Sequence, residues 1–192
     1  MKLAPYESAF VVFFDAAGQP SDGGVEANYP TPVQIARLDG PWTVDFLDKV
    51  RGPKEPVVFE ALTDWTTNSN DLIKYYSGTA VYKSSFKLDA APDGNHILID
   101  LGDFVAMARV KVNGQDAGGL WTAPYTDLVK AGDNEVEIEV VNTWLNRLIG
   151  DLNLPEAKRT TWAAINSWKA DSPLQKAGLF GPVVIESVDY AE

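Results

Sequence analysis

The 192-residue chain contains no cysteine, which excludes disulfides, cysteine-based zinc sites and thiol catalysis. Histidine occurs once, at His96, so neither a multi-histidine metal site nor a histidine–cysteine dyad can form. No Gly-x-Ser-x-Gly elbow accompanies it, and His96 reads as a surface residue opening a strand rather than as a triad base. Dinucleotide, phosphate-loop and EF-hand patterns are also absent. No apolar run approaches the ~18–20 residues that a membrane-spanning helix needs. Basic residues are scarce, 16 against 27 acidic, and the net charge is −11. That field would repel a nucleic acid, and no Lys/Arg cluster overrides it. Its plainer consequence is solubility. The expected partners therefore include no nucleic acid and no membrane.

Hydrophobic residues, by contrast, make up 45% of the chain, enough for a sizeable core in one domain of ordinary size. Their spacing is strand-like. Ala108, Val110 and Val112 alternate with Arg109 and Lys111, and Val136, Ile138 and Val140 alternate with Glu135, Glu137 and Glu139. Between these runs Asn113-Gly114 is a strong hairpin signal, because a type I′ turn needs positive φ at both central residues. Thr79 to Leu88 places Ala80, Tyr82, Ser84, Phe86 and Leu88 on one face. Trp42, Val44 and Phe46 form another inward set, Pro56 to Ala61 a short apolar strand, Ile97, Ile99 and Leu101 a further set, and Gly181 to Val188 the last strand. Pro92-Asp93-Gly94 turns the chain, and Asp64 or Thr63 could start a helical turn before Tyr76. Many short strands with almost no helix imply a β-sandwich or barrel. In a sandwich, Trp42, Phe46, Tyr82, Phe86, Ile99, Val110, Ile138 and Ile185 are expected in the core.

Two regions do not follow this pattern. Ser8 to Phe14 is a β-rich apolar run followed by a Gly/Pro/Ser/Asp loop, Gly18 to Gly24, and a stiff connector at Pro30 to Pro32. The run is too short for a signal-peptide core and reads as a strand. Either the protein is not exported as written or its leader lies outside this sequence. From Asn142 to Leu174 neither a two-residue nor a helical period is sustained, and the segment holds Trp144, Trp162 and Trp168. Loops of this length are uncommon in compact domains and are often functional. The alternative is that the segment wraps the sandwich and buries its tryptophans as plugs.

Four segments together resemble a known family: VNGQDAGGLWTAPYTDLV from Val112, GDNEVEIEVVNTWLNRLIGDLNLP from Gly132, YYSGTAVYKSSFKL from Tyr75, and AGLFGPVVI from Ala177. They are similar to the sugar-binding-type jelly-roll domain of family 2 glycoside hydrolases, and more closely to the C-terminal domain of family 106 α-L-rhamnosidases. The resemblance runs from about Leu38 to Val188. It implies an all-β jelly-roll β-sandwich, galactose-binding domain-like, at residues 38–192, after an N-terminal strand and connector at 1–37. Such enzymes carry their catalytic carboxylates in an upstream barrel, for which this chain has no room. Ser8 to Phe14 is similar to the strand by which the family's chain leaves the preceding domain, and pairing with the sandwich edge is the alternative. The resemblance implies an extracellular or periplasmic setting. Related modules often hold one structural calcium, for which no ligand set can be named here, and no other cofactor is expected.

Searching for chemistry leaves the 6 Trp and 7 Tyr. A sugar site wants a flat aromatic face beside amide, guanidinium or carboxylate groups. Trp121, Tyr125, Trp144, Asn146, Arg147 and Asp151 supply that mixture, so these six are the expected carbohydrate-binding residues. Trp and Tyr are equally core residues, and Asp151 could simply pair with Arg147 to shape its loop. Glycoside hydrolysis needs two carboxylates about 5–9.5 Å apart. Glu60, Asp64, Asp71 and Asp151 lie in or near aromatic-containing loops, but no spacing selects a pair, and no catalytic residue is assigned. The expected function is thus a non-catalytic carbohydrate-binding domain with a plant-type poly- or oligosaccharide as partner. An interdomain scaffold facing a catalytic glycoside hydrolase domain is the alternative, and a small free-standing hydrolase a third.

Overall fold

The structure is a computed structural model that describes residues 31–90, 96–120, 125–126 and 128–188. Trp121, the expected strand at Ser8 to Phe14, the loop after it and the turn at Pro92 to Gly94 lie outside these residues.

The strands in chain order are β1 (Val33–Leu38), β2 (Trp42–Phe46), β3 (Val57–Phe59), β4 (Thr79–Leu88), β5 (His96–Asp100), β6 (Asp103–Phe104), β7 (Met107–Val112), β8 (Gln115–Leu120), β9 (Tyr125–Thr126), β10 (Gly132–Val141), β11 (Leu179–Gly181) and β12 (Val183–Val188). One sheet has the order β3-β2-β4-β10-β7-β8 and the other β1-β12-β5-β9, while β11 and β6 form a small third ladder. All named pairings are antiparallel. β1 pairs with β12 from Val33 onward, so the sandwich takes in residues ahead of the expected boundary at Leu38.

The alternation in the sequence is the alternation of the sheets. Trp42, Phe46, Tyr82, Ile99, Val110, Ile138 and Ile185 are buried between the two large sheets, with Phe86 at their margin. Each large side chain withdrawn from water contributes about 1.5–3 kcal/mol. Glu135, Glu137 and Glu139 face outward. Glu137 sits directly across from both Lys83 and Lys111 and pairs with each, at 3.0 and 2.7 Å. Those pairs hold its carboxyl below the ordinary range. Asn113 (φ 50°) and Gly114 (φ 78°) turn β7 into β8 as a type I′ hairpin requires. Asn113 also donates to the Leu128 carbonyl (2.8 Å) and to Asn134 Oδ1 (2.9 Å), which fastens the turn to β10.

At one end of the sandwich an aromatic cluster fills the core. Trp65 stacks on Tyr82 with ring centroids 6.2 Å apart, and meets Phe46 at 5.1 Å and Tyr76 at 5.6 Å. Gly178 (φ +103°) passes so close to this cluster that a Cβ there would lie 2.8 Å from Trp65 Nε1. Asp64 caps the helical turn Trp65–Thr67, as its position suggested, and also accepts from the Ala177 amide at 3.2 Å.

Candidate functional site

Two short α-helices border this end: α1 (Asp71–Lys74) and α2 (Leu145–Leu152). α2 is a correction to the sequence reading, which found no helical period after Asn142. Leu145, Leu148, Ile149 and Leu152 do recur at i, i+3, i+4 and i+7, but only over two turns, too short to sustain a period across the long segment. The face that α2 buries consists of Asn146, Arg147, Ile149, Gly150 and Asp151 and is mostly polar.

Each buried polar side chain makes defined bonds, although Arg147 Nε has no hydrogen-bond partner among the described residues. Asn146 exchanges two hydrogen bonds with the Gln175 backbone: its Nδ2 donates to the carbonyl (2.6 Å), and its Oδ1 accepts from the amide (2.9 Å). Arg147 pairs with Asp151 at 2.6 Å, one turn along, and its backbone amide donates to Ser77 Oγ. Asp151 also accepts from the amides of Thr160 (2.8 Å) and Thr161 (2.7 Å) and from the Thr161 hydroxyl (2.7 Å). Burial alone would raise the Asp151 pKa, but these hydrogen bonds and the Arg147 charge outweigh it and hold the carboxyl below its ordinary value. Asn153, just past the helix, donates to the Ala170 carbonyl. Residues 153–176 thus form a strap that leaves the end of α2, is pinned at Thr160 and Thr161, and returns to its beginning. Gly150 has no Cβ because the Tyr75 ring occupies its place, at 2.6 Å.

The six expected sugar-contact residues therefore part company. Asn146, Arg147 and Asp151 are buried, and their described bonds to the strap and to one another build the site's frame. They do not offer a ligand their side chains; the pairing of Arg147 with Asp151 is the alternative that the sequence left open. Trp144, at the cap of α2, is 49% exposed. Trp121 lies outside the described residues, and Tyr125 is placed only by its backbone, which pairs with Leu98.

Exposed aromatic surface does gather around Trp144. An open groove of about 390 Å³ is lined by Arg51, Trp144, Leu148, Thr160, Thr161 and Trp162. The Arg51 guanidinium lies 4.9 Å from the centre of the Trp144 ring, a cation–π contact. Arg51 is held by Asp48, whose amide donates to the Tyr76 hydroxyl at 3.0 Å. Gly52 lets that loop lie against the Tyr76 ring, where a Cβ would approach to 2.6 Å. Trp162 stands 86% exposed, and Ile165 and Trp168 follow it along the strap at 87% and 42%. Sequence reasoning missed Arg51 altogether, since it lies 93 residues from Trp144 and nothing local marks it. Trp162 was noticed but not placed.

A larger depression, about 440 Å³, lies on the outer face of the six-stranded sheet among Pro41, Thr43, Lys83, Ser84, Lys111 and Glu137. It has no aromatic lining, and its two lysines are spent on Glu137. The groove has the better chemistry for a ligand. Among the described residues, Asp48 and Asp151, which hold Arg51 and the strap at the groove, are both engaged in ion pairs. Asp64 is a cap, Asp71 lies in the first turn of α1, and Glu60 is exposed. Among the described residues no group of three or more His, Asp or Glu side chains could hold a metal ion.

Comparison with known proteins places this architecture. A rhamnosidase from Novosphingobium sp. PP1Y superposes with a TM-score of 0.77 at 34% sequence identity, over 85% of this chain and 16% of that one. The chain is a counterpart of a β-sandwich domain within larger glycoside hydrolases. A second relative of this glycoside-hydrolase domain, a protein of Formosa agariphila provisionally named a β-glucuronidase, is 34% identical over 191 residues, with 81% of this chain and 16% of that protein covered. A Ruminococcus gnavus β-glucuronidase shares the fold, with a TM-score of 0.59 at 16% identity over 85% of this chain. No family model matches the chain. The domain spans about one sixth of the length of the rhamnosidase and of the Formosa protein. The all-β sandwich and the kinship with rhamnosidases expected from the sequence both stand.

Proposed function

We propose that this chain is a non-catalytic carbohydrate-binding domain serving a glycoside hydrolase, and that its sugar site is the groove between Arg51, Trp144 and Trp162. One observation carries the reading: two solvent-facing indoles, a guanidinium and two threonines border one groove whose volume falls within the range of small-ligand sites. Indole faces suit the apolar C–H faces of a sugar ring, and guanidinium and hydroxyl groups suit its hydroxyls. The buried polar face of α2 supports the reading indirectly, because it fixes the strap that carries Trp162. The paired state of the surrounding carboxylates supports binding without hydrolysis.

Affinity should be weak for one sugar unit. About 12 heavy atoms at roughly 0.3 kcal/mol each give near 3.6 kcal/mol, a millimolar Kd. The test is affinity electrophoresis against rhamnose-containing pectins, galactans and xylans. Retention by at least one glycan that is lost in Trp144→Ala supports the reading, and no retention by any of them refutes it.

One observation favours a second reading, a docking face for a catalytic domain. Ile165 is 87% exposed beside Trp162 and Trp168, and an aliphatic side chain adds nothing to sugar recognition. If the glycans fail and a rhamnosidase-type catalytic domain binds this face, the scaffold reading replaces the first.

A further inference from the structure

The binding reading leaves the kind of glycan open, and the charge of the strap bears on it. Residues 154–176 carry four basic side chains, Lys158, Arg159, Lys169 and Lys176, against two acidic ones, Glu156 and Asp171. This segment is therefore net positive in a chain whose net charge is −11. All six side chains belong to exposed residues. The strap also carries the exposed Trp162 and Trp168, and Trp144 lies beside it across the groove, so positive charge and indole surface coincide on a molecule of net negative charge.

The fastenings of the strap determine where those charges stand. Lys158 and Arg159 immediately precede Thr160 and Thr161, which Asp151 holds against α2 at the groove. Arg159 keeps its position by donating from Nε to the Leu154 carbonyl at 3.1 Å. Lys169 adjoins Ala170, whose carbonyl accepts from Asn153 at the end of α2. Within the groove Arg51 adds a fifth basic group, though Asp48 already balances it.

From this arrangement we infer that the groove and strap select an anionic glycan, one bearing carboxylate or sulfate groups. The inference rests on the binding reading above. An acidic sugar chain would be repelled by the net charge of the molecule and attracted at the net positive strap, which orients its approach. Trp144 and Trp162 would take the ring faces. Lys158, Arg159 and Lys169 would meet acidic groups on neighbouring units.

Affinity electrophoresis in polygalacturonate, in neutral galactan and xylan, and in poly-L-glutamate separates the outcomes. The expected result is retention by polygalacturonate well above the neutral gels, weakening by about tenfold as salt rises from roughly 50 to 500 mM because exposed charges are screened. Trp162→Ala and the double variant Lys158→Gln/Lys169→Gln should each lose that retention. All three side chains are exposed, so the variants should keep the fold. Equal, salt-insensitive retention by charged and neutral glycans overturns the inference and leaves the binding reading standing. Equal retention by poly-L-glutamate overturns it in favour of an acidic protein partner. Salt-sensitive retention that survives both variants places the charge elsewhere and also overturns it. Retention in no gel removes the binding reading itself, and the inference with it.

Discussion

Removing the Asp151 carboxylate should unlatch the strap, and the cost can be worked from the structure. Asp151 and Arg147 are 3% and 7% exposed and lie 2.6 Å apart. Taking away one member of so buried a pair leaves an uncompensated charge, which costs about 3–5 kcal/mol. Two backbone amides, at Thr160 and Thr161, lose their acceptor at the same time. For a domain of this size each kcal/mol lowers Tm by roughly 2–4 °C, so Asp151→Ala should melt about 6–20 °C below wild type at pH 7. Asp151→Asn keeps an acceptor for the strap and should lose less. The pH dependence has a definite sign. The folded pKa lies below the unfolded value of about 3.9, so the contribution is complete above about pH 5 and disappears as pH falls through the folded pKa. The gap between wild type and Asp151→Asn should narrow steadily below about pH 4. Urea denaturation at a series of pH values measures both effects. A cost of Asp151→Ala below about 1 kcal/mol at pH 7, the worth of an ordinary surface pair, would refute the reasoning.

Other consequences are more local. Trp65→Ala, in the centre of the aromatic cluster, should cost about 3–5 kcal/mol by chemical denaturation, whereas Trp162→Ala should leave the melting temperature nearly unchanged. Gly178→Ala should destabilise by about 1–3 kcal/mol, because its Cβ would press on Trp65 and Tyr82 at a positive φ; an unchanged midpoint would mean that the cluster relaxes freely. The purified chain should not hydrolyse aryl α-L-rhamnosides above background, and turnover lost on changing Glu60, Asp64 or Asp151 would overturn the non-catalytic reading.

How legible the protein was depended on which kind of group a position buries. Wherever a strand buries apolar side chains and exposes charged ones, as in β4, β7 and β10, the two-residue period gave both the element and its register. β8 was harder, because Ala117, Gly118 and Gly119 carry almost no pattern and only the Asn113-Gly114 turn implies a returning strand. α2 was read past because its apolar period, Leu145, Leu148, Ile149 and Leu152, lasts only two turns, and its buried polar face is held by Ser77, Gln175 and the Thr160-Thr161 amides, partners that sequence spacing cannot reveal. The candidate site suffered from the same blindness in reverse. Asn146, Arg147 and Asp151 were chosen for having the functional groups that sugars need, but all three are buried and bonded to the strap or to one another, with only Arg147 Nε left without a hydrogen-bond partner among the described residues. Arg51, which does line the groove, comes from a distant turn braced by Asp48 and Tyr76.

The central claim, that the groove at Trp144 and Trp162 takes sugar, is most directly tested at the indoles themselves. With the six tryptophan Nε1–H resonances assigned by single substitutions, an oligosaccharide retained in the electrophoresis panel is titrated into the labelled protein. The account predicts that the resonances of Trp144 and Trp162 shift together along one binding curve while those of buried Trp42 and Trp65 stay in place. Saturable shifts confined to other tryptophans, with Trp144 and Trp162 unmoved, would contradict it.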